Sequence, residues 1–294
     1  GGSSNSGKWT KVTGNIWKID LRYDKDWKNK YDIHDANQIG GIYFFNSSDD
    51  SADVPTIIGR RIVNGARFAS YNELTKEGDF YVAPNVANDG FAYVYCSANP
   101  ATKYSRIELA EKRHTIEARS NNQIKNVDIR YSGGHGIYVA AGATNMNISY
   151  CDIHYIGGAP NNDLAFGNGI QFSDYASSST VDHCYVTECF DAGLTFQSYT
   201  GDTVAHSTFD GISFTNNLVE KCYYNIEFFT VETSANKVGS SKTISGVMKN
   251  ITITGNIMRF AGYGVSGDER MASEGNTRCA NLCVTRNAWY SMCS

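Results

Sequence analysis

Two carboxylates and a short row of polar residues hold the chemistry that this sequence can offer. Glu227 sits in the phrase Asn225-Ile226-Glu227-Phe228. The same pattern appears as Gly136-Ile137-Tyr138-Val139, Gly169-Ile170-Gln171-Phe172 and Gly193-Leu194-Thr195-Phe196, with a weaker copy at Gly264-Val265-Ser266-Gly267. In an extended strand the two apolar residues of each phrase share one face and the residue between them takes the other. Stacked phrases therefore put Tyr138, Gln171, Thr195 and Glu227 in one outward row. The turns before them add His135, Asn168, Asp191 and Tyr224, and Gln197 follows Thr195 on the same face. Amides and hydroxyls bond sugar hydroxyls, and aromatic rings stack on sugar faces. Paired Asp and Glu residues flanking a glycosidic bond are what hydrolysis through an oxocarbenium-like transition state requires. Asp191 and Glu227, on adjacent coils, read as that catalytic pair. Glu227 would be the acid, partly desolvated between Ile226, Phe228 and Phe229, and Asp191 the nucleophile or base. His135, Tyr138, Asn168, Gln171, Thr195 and Gln197 read as substrate-binding residues. Plainer readings stand beside these: a solvated surface glutamate, an aspartate closing a turn, and a histidine in Gly133-Gly134-His135-Gly136 that satisfies backbone groups.

The row exists only if the chain stacks, and a second phrase says that it does. Ile124, Val127 and Ile129 recur in the same spacing as Ile148, Cys151 and Ile153, then as Val181, Cys184 and Val186. Later copies are Phe214, Asn217 and Val219; Ile253, Asn256 and Met258; and Val284, Asn287 and Trp289. Self-similarity at this period marks a solenoid, in which no repeat buries its apolar face alone. Alternation of apolar and polar residues makes the repeats strands rather than helices. Cys184, Asn217, Asn256 and Asn287 share one offset, where a turn residue must close hydrogen bonds along the stack. Glycine or asparagine before the phrase suits a backbone that has to bend. The reading is an all-β chain forming a right-handed parallel β-helix with two or three strands per coil. An antiparallel sandwich is disfavoured, because hairpin signals between alternating runs are nearly absent.

Composition narrows the partners. The formal charge is −4 and no Lys/Arg cluster stands out, which excludes a nucleic-acid surface. No apolar run reaches membrane-spanning length, so no membrane insertion is expected. None of the eight cysteines has CxxC spacing, and Cys279 and Cys283 lack a histidine companion, so no metal site is expected. Cys189 and Cys222 read either as buried thiols stacked rung on rung or as a disulfide, since neighbouring rungs lie roughly 4.8 Å apart.

The remaining sequence divides the chain into three parts. Residues 1–7 look like a linker or processed end, 8–105 form a strand-rich N-terminal segment with lead-in strands, and 106–294 form the coils. Gly78–Val82 and Phe91–Tyr95 read as a hairpin turned at Asn88-Asp89-Gly90. The order Asn15-Ile16-Trp17-Lys18, Gly78-Asp79-Phe80-Tyr81, Tyr93-Val94-Tyr95, Asn99-Pro100, Ile107-Glu108 and Gly133-Gly134-His135-Gly136-Ile137 resembles bacterial right-handed β-helix carbohydrate-active enzymes of the glycoside-hydrolase-like and pectate-lyase-like kind. That resemblance, over most of residues 14–270, implies an extracellular or cell-surface protein acting on a poly- or oligosaccharide, with a glycoside hydrolase as the leading reading. A uronate lyase drawing on Arg130, Tyr131, His135 and His154 is the first alternative, and a non-catalytic glycan-binding or structural β-helix, such as an adhesin, is the second. No cofactor is expected. Calcium, which lyases on this scaffold sometimes hold, has candidate carboxylates in Asp49-Asp50-Ser51-Ala52-Asp53 and Asp268-Glu269, but neither matches a calcium loop. Asp163 lies in an insertion, Gly157–Gly167, expected to wall the groove. The final repeat runs to the end without a visible cap, so the expectation is either that another chain covers that end, by self-association or as a partner, or that the remainder has been lost.

Overall fold

The computed structural model describes residues 6–21, 39–46, 54–63, 66–82, 90–159, 166–198, 206, 208–230, 247–262 and 278–290. Its centre is three parallel sheets, each contributing one strand per coil. The first contains Ile116–Ala118, Ile137–Val139, Ile170–Ser173, Ala192–Ser198 and Tyr224–Thr230. The second contains Gln123–Lys125, Asn147–Ser149, Ser177–Asp182, Phe209–Thr215, Val247–Thr254 and Arg278–Thr285. The third contains Asp128–Ser132, Asp152–Ile156, Tyr185–Cys189, Leu218–Glu220, Ile257–Arg259 and Ala288–Tyr290.

The repeated phrases set this register. Ile137, Ile170, Leu194 and Ile226 pair in one column, and Val139, Phe172, Phe196 and Phe228 in the next. Nearly all of these side chains are buried in one continuous core with Ile148, Ile153, Val181, Val186, Phe214 and Met258. The stack works because each apolar column loses its solvent-facing area only when the next rung covers it. Inside the corner between the second and third sheets runs the expected amide ladder. The backbone N–H of Cys184 donates to Asn217 Oδ1 at 2.8 Å, that of Asn217 to Asn256 Oδ1 at 2.9 Å, and that of Asn256 to Asn287 Oδ1 at 2.9 Å. The amide groups also donate to Val181, Phe214 and Ile253 carbonyls, so the turn closes its own hydrogen bonds in the dry interior.

Two local explanations differ from the sequence reading. The glycines before the first-sheet strands serve space rather than backbone conformation. A Cβ on Gly136 would lie 2.6 Å from the Gly169 carbonyl oxygen, and one on Gly169 2.5 Å from Val186 Cγ1. The left-handed corners are instead taken by larger residues in columns. Asn126, Tyr150, His183, Asn216 and Arg286 have φ between 52° and 56°, and Tyr131, Tyr155, Glu188, Lys221 and Phe260 between 53° and 60°. Such a conformation costs roughly 1–2 kcal/mol in isolation, and ring stacking helps offset it, as where Tyr131 and Tyr155 lie 5.4 Å apart and 11° from parallel.

The N-terminal segment is strand-rich and antiparallel. Trp9–Thr13, Ile16–Asp20, Phe91–Tyr95 and Phe80–Val82 form one sheet, which contains the expected hairpin pair. Asp79, fully buried, fixes the turn before that pair by accepting the N–H groups of Thr75 and Lys76 and pairing with Arg60 at 2.7 Å. The expected start of the coils at residue 106 moves. Arg106–Glu111 pairs antiparallel with Ile39–Phe45, in a separate sheet with Ile57–Ile58, and the first coil strand is Ile116–Ala118. The edge-seeking pattern Ile107-Glu108-Leu109 fits either partner, and the apolar run Ile39–Phe45 supplies the nearer one. Tyr43, Phe45, Ala110 and Tyr155 join the two parts, with the Tyr43 hydroxyl donating to the Tyr155 carbonyl at 3.2 Å.

Candidate functional site

The outward row forms on the first sheet as the alternation predicts. Tyr138, Gln171, Thr195 and Glu227 are register partners on consecutive strands, preceded by Glu117, and Ser173 lies beside Gln197 on the same face. The row is not a solvated surface. Gln171 is 4% exposed, Thr195 0%, Gln197 1% and Glu227 7%, while Tyr138 is half-buried. Polar side chains excluded from water must be hydrogen-bonded or they destabilise the fold, and most of these are. Asn168 Nδ2 donates to Gln171 Oε1 at 2.7 Å, and Gln171 Nε2 to Ser173 Oγ at 2.9 Å. Gln197 Nε2 donates to Glu227 Oε2. Two groups on this sheet lack partners among the described residues: Thr195 Oγ1, between Gln171 and Glu227 in the row, and Asn225 Oδ1, two residues before Glu227.

His135 belongs to a ladder of its own. His114, His135 and Asn168 each stand two residues before the first core residue of their strand. The His135 N–H donates to His114 Nδ1 at 3.1 Å, and the Asn168 N–H donates to His135 Nδ1 at 2.9 Å. Asn168 Oδ1 continues the series by accepting the Ala192 N–H at 2.7 Å. Accepting at Nδ1 places the proton of each neutral imidazole on Nε2. The His114 and His135 rings stack at 4.6 Å and 3°, Tyr138 stacks on His114 at 4.7 Å, and Phe166 leans over His135 at 4.7 Å. Burial, reinforced by His114, holds His135 well below the usual histidine range. His135 and Asn168 therefore carry backbone groups across rungs, the plainer of the two sequence readings, and with Tyr138 they end the polar row in an aromatic shelf. His114 and Phe166 were not singled out from the sequence. His114 was legible there, because it shares His135's offset before the repeat.

The register does not bring Asp191 beside Glu227. The Tyr224 N–H donates to the Asp191 carbonyl across the rung, and Ala192 pairs with Tyr224, while Glu227 pairs with Thr195. Asp191 thus sits at the corner opposite Tyr223. Four residues of strand, roughly 13 Å at the usual rise, separate that level from Glu227. Asp163 and the two acidic segments considered for calcium, 49–53 and 268–269, lie outside the described residues.

A second polar row runs along the third sheet: Arg130, His154, Thr187, Glu220 and Arg259 on consecutive rungs. Its charges are matched. Arg130 pairs with Asp128 at 2.7 Å, and Glu220 meets both Arg259 and the Tyr185 hydroxyl, the latter at 2.6 Å. Burial works against the Glu220 carboxylate, but the Tyr185 and Arg259 contacts outweigh it and hold its pKa below the usual range. Among the described residues Cys151, Cys184, Cys189 and Cys222 are buried free thiols stacked through the core, and burial pushes the Cys189 thiol far up.

No helix among the described residues is long and apolar enough to cross a membrane. No curated protein matches the chain. Residues 89–278 match the family model described as the right-handed beta helix region, which fits a carbohydrate-active or a structural protein. The match spans more than half of the sequence and takes in most of the three parallel stacks, so the chain belongs to the right-handed β-helix family.

Proposed function

We propose that this chain binds an extracellular oligo- or polysaccharide along the first-sheet row and hydrolyses it with Glu227 as proton donor. One observation carries the reading: the Thr195 hydroxyl is fully buried and unpartnered between an amide and a carboxylate side chain. The asparagine ladder, by contrast, completes its side-chain hydrogen bonds. Sugar hydroxyls both donate and accept, so a saccharide meets Thr195, Gln171 and Gln197 without leaving a partner unmatched. Tyr138, at the shelf end, offers a ring face to a pyranose. The low exposure of the row makes the site a closed one, and binding has to open it.

Glu227 works as an acid when its carboxyl is protonated in the bound complex and donates to the leaving glycosidic oxygen. Asp191 stands too far along the strand for backbone placement alone to meet the carboxyl separation of a retaining or an inverting pair, about 5–5.5 Å and roughly 6.5–9.5 Å. That separation favours, as a second reading, a glycan-binding β-helix that does not cleave. A uronate lyase has less support, because the arginines of the third-sheet row are engaged by Asp128 and Glu220.

The test is turnover and binding on neutral oligosaccharides, with release of unsaturated product from uronate polymers followed by absorbance. The hydrolase reading expects reducing ends from a neutral glycan, and loss of about 10²–10⁴-fold in rate in Glu227→Gln with binding kept. Binding without turnover selects the second reading, and unsaturated product selects the lyase. Silence on all three overturns the proposal.

A further inference from the structure

Away from the row, one cation is buried without a counter-charge among the described residues. Arg61 is 4% exposed, where the N-terminal sheets meet the coils. Its Nη1 donates to the Ile39 carbonyl at 3.3 Å and to the Gly158 carbonyl, the first on an N-terminal strand and the second beyond a third-sheet strand. Among the described residues its Nε and Nη2 have no acceptor and its guanidinium has no carboxylate partner. The guanidinium carbon also lies 5.6 Å from the Phe80 ring centroid. Burial, then the nearby Arg67, lower its pKa to about 9, so it is still charged at neutral pH. Both arginines line one small cavity, together with Phe68, Phe80, Tyr81 and Val82.

A desolvated cation is stable only when it is paired and hydrogen-bonded. Two backbone carbonyls supply part of that, and a second arginine beside the same space works against it. The cavity has room for about one water-sized species, and a water there would accept a hydrogen bond but bring no charge. We propose that the Arg61–Arg67 cavity binds a small monovalent anion of halide size, which completes the guanidinium's hydrogen bonds and fastens the N-terminal sheets to the coils through the Ile39 and Gly158 carbonyls. The aromatic walls fit a weakly hydrated, polarisable ion.

Thermal unfolding of the whole chain tests this, with sodium methanesulfonate exchanged for sodium chloride or bromide at constant ionic strength. The midpoint should rise with the logarithm of halide concentration, as for any ligand that binds only the folded state. Arg61→Met should remove that slope, and Arg67→Gln should flatten it. The Arg67 variant decides the matter if Arg61→Met does not fold. A wild-type midpoint indifferent to halide, or variants that keep the wild-type slope, would overturn the proposal. Crystals grown in bromide should show its anomalous peak at Arg61; peaks confined to the surface would mean an adventitious ion only, and would also overturn it.

Discussion

Among the buried polar rows of this β-helix, the asparagine ladder is complete and the first-sheet row is not. In the corner between the second and third sheets, Asn256 donates to Phe214 and Asn287 and accepts from both the N–H and the side-chain amide of Asn217. The side-chain oxygen and nitrogen of Asn217, Asn256 and Asn287 are all used. On the outer face of the first sheet the residues are as buried, yet Thr195 Oγ1 and Asn225 Oδ1 have no partner among the described residues. The two ladders share a geometry and differ in closure. A ladder that closes on itself holds the coil together, whereas one that leaves a hydroxyl unmet beside a carboxylate fits the proposed ligand.

The comparison can be broken at three points. The largest effect is expected in the closed ladder. Asn256→Ala strips acceptors and donors from several buried groups at once and should cost about 3 kcal/mol in urea unfolding. A cost under about 1 kcal/mol would mean that the ladder closes by other means. Next comes His135, whose ring also serves a ladder but titrates. Because its folded pKa is depressed, the unfolded chain binds more protons at low pH. Stability should therefore be full above the unfolded value near 6.5 and fall below it, by up to about 1.4 kcal/mol per pH unit. His135→Asn should flatten that decline in denaturation curves taken from pH 7.5 to 5. The smallest effect on stability, within about 0.5 kcal/mol, is expected from Glu227→Gln, since the amide keeps the shape of the carboxylate that Gln197 meets.

The columns Ile137 to Ile226 and Val139 to Phe228 were legible because a strand period of two and a coil-length repeat leave one register that buries every apolar residue. The asparagine ladder was legible for the same reason, as a fixed offset. Other features depend on partners distant in sequence. The boundary at Arg106–Glu111 was set by Ile39–Phe45, and the burial of Gln171 and Glu227 by what surrounds the row. Adjacent coils do not imply adjacent side chains: Asp191 precedes Leu194 by three positions while Glu227 follows Ile226 by one, and the pairing required the bend to bring them together, which the register does not do. The left-handed Tyr155 and Glu188 went unseen because local propensity argues against them, and the stack overrides it.

The account rests on Thr195 being an unmet group kept for a ligand, and Thr195→Val tests that most directly. Valine keeps the shape and removes the hydroxyl. Measured together, unfolding free energy and saccharide affinity should move in opposite directions. The variant should gain about 1 kcal/mol of stability by losing an unsatisfied buried polar group, and should bind the glycan that the wild type binds at least tenfold more weakly. A variant that is less stable than wild type, or one that binds the glycan as well, would contradict it.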